Sequence, residues 1–111
     1  MLRERPVALA CGDAADWVEA RLAVPQAAGQ TRVLMHSVVW QYLGAERQTR
    51  IDAAMVAAGA RATAERPLAW VRMEPNRDLA RHEVTIRCWP GAETPALLAH
   101  THPHGTWIEA A

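Results

Sequence analysis

The residues best suited to chemistry stand near the end of the chain, in His100-Thr101-His102-Pro103-His104-Gly105-Thr106-Trp107. Three of the five histidines fall here, at alternating positions. Side chains alternate faces along a strand, so an extended backbone would turn all three imidazoles to one side. His100, His102 and His104, joined by Glu74, would supply the nitrogen and oxygen ligands of a metal site. That pattern defines one expectation, a metal-dependent hydrolase-like enzyme. Pro103 works against it, because proline has no N–H to give a strand ladder. A turn through Pro103 to Gly105 would scatter the rings, return the last strand to the sheet and dock Trp107 in the core. On that alternative no metal ligands are expected, and His102 or His104 is left as a pocket histidine able to move a proton near neutral pH.

Three more polar sites follow apolar runs: Gly12-Asp13, His36-Ser37 and Glu74-Pro75. In open α/β sheets, ligands bind beyond the carboxyl ends of the parallel strands. Three such ends would line one crevice. The expected catalytic residues are therefore His36, Glu74 and His104. Gly12, Asp13 and Ser37 are the expected ligand-binding positions. Plainer roles stand beside these: strand ends are where a chain reaches water, and Asp13 is a good helix cap. The five tryptophans are spread along the chain and, with no Phe and one Tyr, carry most of the aromatic bulk. Most are expected in the core, while Trp40 and Trp107 lie beside polar segments and can wall a pocket.

The elements that must position these residues are legible from periodicity. Val7-Ala8-Leu9-Ala10-Cys11 is an apolar run of the kind found in strands covered on both faces. Asp13 caps a helix from Ala14 to about Ala23, stopped by Pro25. Val33–Met35 is expected as a buried strand. The residues that follow continue as strand or turn into a helix, for which Ser37 is a candidate N-cap and Val38, Val39 and Tyr42 the apolar stripe. Gly44–Ala58 is the clearest helix, with Ile51 and Met55 on its apolar face and Gly59 at C′. Leu68–Pro75 and His82–Trp89 are strands, Pro90-Gly91 is a turn, and Ala96–His100 and Thr106–Ile108 are later strands. The gap from Pro75 to Arg81 is too short for a crossover helix, so the last strands should form an antiparallel meander. The expected fold class is α/β, a Rossmann-like mixed sheet in the order βαβαβ followed by that meander.

Composition sets outer bounds. The chain has 111 residues, half of them apolar, which suits one globular domain spanning 1–111. Formal net charge is zero, which disfavours a nucleic-acid partner. All twelve basic residues are arginine, so Schiff-base lysine chemistry is excluded. No glycine-rich phosphate loop is present, and the six glycines are scattered. No apolar stretch approaches membrane-spanning length. The charged start, Met1-Leu2-Arg3-Glu4-Arg5-Pro6, does not resemble a signal peptide. A cytoplasmic protein is expected, with Cys11 and Cys88 reduced and packed in the interior.

Three segments carry a family resemblance: His36-Ser-Val-Val-Trp-Gln-Tyr-Leu43, Ala64-Glu-Arg-Pro-Leu-Ala-Trp-Val-Arg-Met-Glu-Pro75 and His102-Pro-His-Gly-Thr-Trp107. From about Val7 onward the chain resembles the bacterial family of domain of unknown function 2332. The resemblance implies longer relatives, of which this chain is similar to the C-terminal part. The order of elements is also similar to the second half of a class I methyltransferase fold. That likeness implies an acidic, adenine-contacting turn at Gly12-Asp13-Ala14 and a catalytic pocket beside His36-Ser37. The strand and glycine-rich turn that would hold S-adenosylmethionine are missing, so no cofactor is expected for the isolated chain. A sheet cut in this way exposes an edge and apolar faces, which implies a homodimer through Val7–Cys11 or Val33–Met35. The functional expectation is an incomplete or non-catalytic methyltransferase-like module. A dimeric interaction module and the hydrolase-like site remain as alternatives.

Overall fold

A computed structural model describes residues 11–104 and 106–111. The expected strand Val7–Cys11 falls outside these residues except for Cys11, which is exposed and not in a strand. Five strands form one mixed sheet in the order β1-β2-β3-β4-β5: β1 Arg32–Ser37, β2 Leu68–Asn76, β3 Arg81–Trp89, β4 Ala92–Thr101 and β5 Ile108–Ala110. Only β1 and β2 run parallel; the rest is an antiparallel meander. The short Pro75–Arg81 connection has the consequence its length predicts. Two α-helices, α1 Ala14–Ala23 and α2 Gly44–Ala60, complete a mixed α/β domain.

Each helix has a local cause. Asp13 accepts the Asp16 N–H at 3.1 Å and so satisfies one of the free donors of the first turn of α1. Arg47 of α2 pairs with the same carboxylate, and Arg50 reaches Asp16 and Glu19 at 2.6 Å each, tying the two helices together. At the start of α2, Gly44 has φ +79°, a left-handed conformation that glycine takes without penalty.

Both helices lie on one face of the sheet. Ala15 and Val18 of α1, with Ile51 and Met55 of α2, pack on Leu68, Trp70 and Trp89. Trp70 and Met55 are fully buried and anchor this core. The register sends alternate residues to the other side. There Val33, Ala69 and Cys88 line up, as do Met35, Val71 and Ile86. Neither described helix lies on that side.

Several sequence expectations shift. Val33–Met35 is a strand, but only Leu34 turns toward the core, while Val33 and Met35 face the side with no described helix, on a strand at the edge of the described sheet. Val33 is 50% and Met35 71% exposed. Ser37 caps no helix. Val38 takes φ 48° just after it, and the chain turns into a short 3-10 segment, Trp40–Tyr42, whose cap position is Val39. Gly59 is not the C′ residue: α2 runs on to Ala60, and Gly59 is buried inside it against Trp89. Any Cβ at Gly59 would overlap the Trp89 indole. Cys11 is exposed rather than packed; Cys88 is partly buried, and both thiols are free. No helix is long and apolar enough to cross a membrane.

Candidate functional site: a histidine-walled cleft at a strand end

His36 is the last inward-facing residue of β1, and Glu74 lies near the end of the neighbouring β2. The parallel pairing therefore brings together two polar strand ends separated by a whole helix in sequence. The His36 Nδ1 to Glu74 Oε2 distance is 2.7 Å. On the other side of the ring, Trp70 Nε1–H donates to His36 Nε2 at 3.0 Å. An indole nitrogen can only donate, so Nε2 must be the acceptor and Nδ1 must carry the proton given to Glu74. The network thus selects one neutral tautomer. Burial is the largest influence on the ring and holds its pKa below the ordinary value, against the opposing pull of Glu74.

Glu74 is engaged further. Its Oε1 lies 3.3 Å from the Trp40 N–H and its Oε2 3.5 Å from the Val39 N–H. The carboxylate so fixes the start of the 3-10 segment and places the Trp40 ring nearly parallel to His36, with centroids 5.5 Å apart. Gln48 of α2 holds the same residue from the other side by donating to the Trp40 carbonyl at 2.8 Å.

These side chains wall a cleft of about 510 Å³, between the N-terminal end of α1, the carboxyl end of β1 and the 3-10 segment. Its lining includes Gly12, Trp17, Arg21, Leu34, His36 and Trp40. Most of the exposed lining is apolar, and its size falls in the usual range for small-molecule sites. His36 and Gly12 both line this crevice, and Glu74 supports His36 from behind; the strand expected before Gly12 lies outside the described residues apart from Cys11. Asp13 is not part of the lining, although Gly12 and Ala14 on either side of it are, and its carboxylate is committed to the Asp16 N–H and Arg47. The Arg47 hydrogen bond is the main reason its pKa is lowered. Ser37 is exposed and, one residue on from His36, points to the opposite side of the sheet.

The histidine run at the other end of the chain splits up. His100 lies in β4 beside Glu83, at 3.7 Å. His102 begins the β4–β5 turn, where its N–H bonds the Trp107 carbonyl at 3.1 Å. His104 is exposed, and its N–H bonds His102 Nδ1 at 3.0 Å. The run is thus a turn that returns β5 to the sheet, with Trp107 against the His102 ring rather than in the core. His104 does not line the cleft beside His36. Among the described residues, no three His, Cys, Asp or Glu side chains are placed to hold a metal ion. Sequence reasoning missed Trp70 as a partner of His36. A tryptophan in an apolar strand signals core bulk, and nothing local announces where its N–H points.

Fold and site together define a mixed α/β domain with an apolar cleft at a parallel strand end, walled by an imidazole locked in one tautomer. The chain matches, over residues 1–110, the family described as "Uncharacterized protein conserved in bacteria (DUF2332)", and it belongs to that family. No curated protein and no solved structure matches it.

Proposed function

We propose that the chain is a non-catalytic α/β binding module, methyltransferase-like in the order of its elements, whose cleft takes a flat, largely apolar ligand group. One observation carries this reading: both ring nitrogens of His36 are engaged, by Trp70 and Glu74. A general base needs a free lone pair within reach of the proton it removes, and this imidazole offers the cleft only its face and edge. Asp13, between the lining residues Gly12 and Ala14, is likewise committed to a cap and an ion pair. The wall residues Trp17, His36 and Trp40 suit a planar ligand. The methyltransferase-like part of the proposal rests on the sequence α1, β1, α2, β2 and the meander, and likeness of fold does not transfer an activity.

Calorimetric titration of the chain with S-adenosylmethionine and S-adenosylhomocysteine tests it. No saturable heat is expected, and no transfer of a labelled methyl group. Micromolar binding with methyl transfer would contradict the non-catalytic reading.

A second reading, self-association, is favoured by a different observation. β1 is an edge strand among the described residues, and Val33 and Met35 are exposed beside the apolar sheet face. Zero net charge leaves no long-range repulsion between copies. We infer a homodimer with β1 at its interface. The expected result is sedimentation at twice the monomer mass at micromolar concentration; a monomer there contradicts it.

A further inference from the structure

Among the described arginines, Arg72 combines two indoles beside its guanidinium with no described acceptor for its donors. Arg47, Arg50 and Arg87 have carboxylate partners. Arg32, Arg61 and Arg66 donate to backbone carbonyls. Arg21 and Arg77 are exposed to water, and Arg81 stands over the exposed Trp107. Arg72 is partly buried on the helix-side face of β2, and among the described residues no acceptor takes any of its N–H donors. Its guanidinium is held over two indoles, 4.4 Å from the Trp40 centroid and 5.0 Å from that of Trp70. The two indoles offer the guanidinium ring faces and edges rather than acceptors, so its N–H donors stay unengaged by the described residues.

Glu74 and Asp52 favour the charge of Arg72 through space, but neither takes one of its N–H donors. Glu74 is taken up by His36 and two backbone N–H groups. Asp52 lies 3.5 Å from Arg87. Arg87 itself reaches over the same Trp70 ring at 5.7 Å, so two guanidiniums flank one indole. The register sets Thr85 beside Arg72, where its hydroxyl is a further donor. Burial is the largest influence on Arg72 and works against its charge. A desolvated cation of this kind gains from an anion at its edge.

We propose that Arg72, with Arg87 beside it, forms a binding site for the oxyanion group of a small-molecule ligand, a phosphate or a carboxylate. The site does not use the cleft beside His36 and stands whether or not that cleft binds a planar group. A phosphate would take two parallel N–H bonds from the Arg72 fork, and Arg87 would offset its second charge.

The test titrates the protein with sodium phosphate and with sodium acetate, each against sodium chloride at equal ionic strength and neutral pH. Tryptophan fluorescence and the Arg72 Nε–H resonance are followed. A saturable response to phosphate or acetate beyond chloride is expected, and the ion that gives it names the group. Arg72→Gln should weaken that binding by about tenfold, whereas Arg77→Gln should leave it unchanged. The resonance in the unsubstituted protein decides the matter even if Arg72→Gln fails to fold. Responses equal to chloride, an Arg72 resonance that does not move, or a folded Arg72→Gln that binds as tightly as the parent would each overturn the proposal.

Discussion

At the scale of single residues, the behaviour of His36 follows from its burial and from the donor on its Nε2. Trp70 Nε1–H occupies Nε2, so a second proton on the ring would set two N–H groups against each other. As pH falls past the ordinary histidine value of 6.5, the unfolded chain takes up a proton that the folded chain resists. The contribution of His36 to stability is therefore fully present above that value and declines as pH drops toward the lowered folded pKa. Chemical denaturation between neutral and mildly acidic pH should show the midpoint falling over that window, and His36→Gln should flatten the fall. Trp70→Phe removes the donor and leaves Glu74 in place, so the His36 pKa should rise in an NMR titration. His36→Ala strands the Trp70 N–H and a Glu74 oxygen, and should cost about 2–3 kcal/mol in denaturant unfolding. The polar strand ends His36 and Glu74 were legible in the sequence because apolar runs stop there. Their meeting was legible only as far as β1 and β2 could be inferred to be parallel. The roles of Trp70 and Arg72 were not, since both depend on which neighbour a side chain meets across the sheet.

At the scale of elements, α2 shows how far local signals reach. Its start and its apolar face at Ile51 and Met55 follow from helical spacing, and the structure has both, though the helix runs past Ala58 to Ala60. Gly59 looked like a C-terminal stop because glycine commonly ends helices. It is instead the point where α2 touches Trp89 of β3, a contact between residues distant in sequence. Gly59→Ala would ordinarily favour a helix by about 1 kcal/mol. Here the added methyl group meets the indole, so the variant should unfold at lower denaturant, with a net loss of about 1–2 kcal/mol. An unchanged or raised midpoint would show that α2 does not press on Trp89. The loss of the expected helix after Ser37 has an equally specific cause. Glu74 captures the Val39 and Trp40 N–H groups from a neighbouring strand, which holds the segment as a short 3-10 turn.

At the scale of the whole molecule, the sheet has two unlike sides. One is buried under α1 and α2, and the other carries Val33, Met35, Val71 and Ile86 without a described helix over it. The sequence suggested buried strands because short apolar runs look alike whether covered on one face or two. Met35, 71% exposed on the edge strand, is the residue through which self-association is tested. Met35→Lys should convert a dimer to a monomer in sedimentation without lowering monomer stability, since the side chain already meets water. The central claim concerns the cleft on the buried side: His36 is a neutral, fully bonded wall rather than a base. Long-range nitrogen–proton NMR correlations of the His36 ring test it most directly. A proton on Nδ1, none on Nε2, and a titration below 6.5 are expected. A proton on Nε2, or ordinary titration near 6.5, would contradict it.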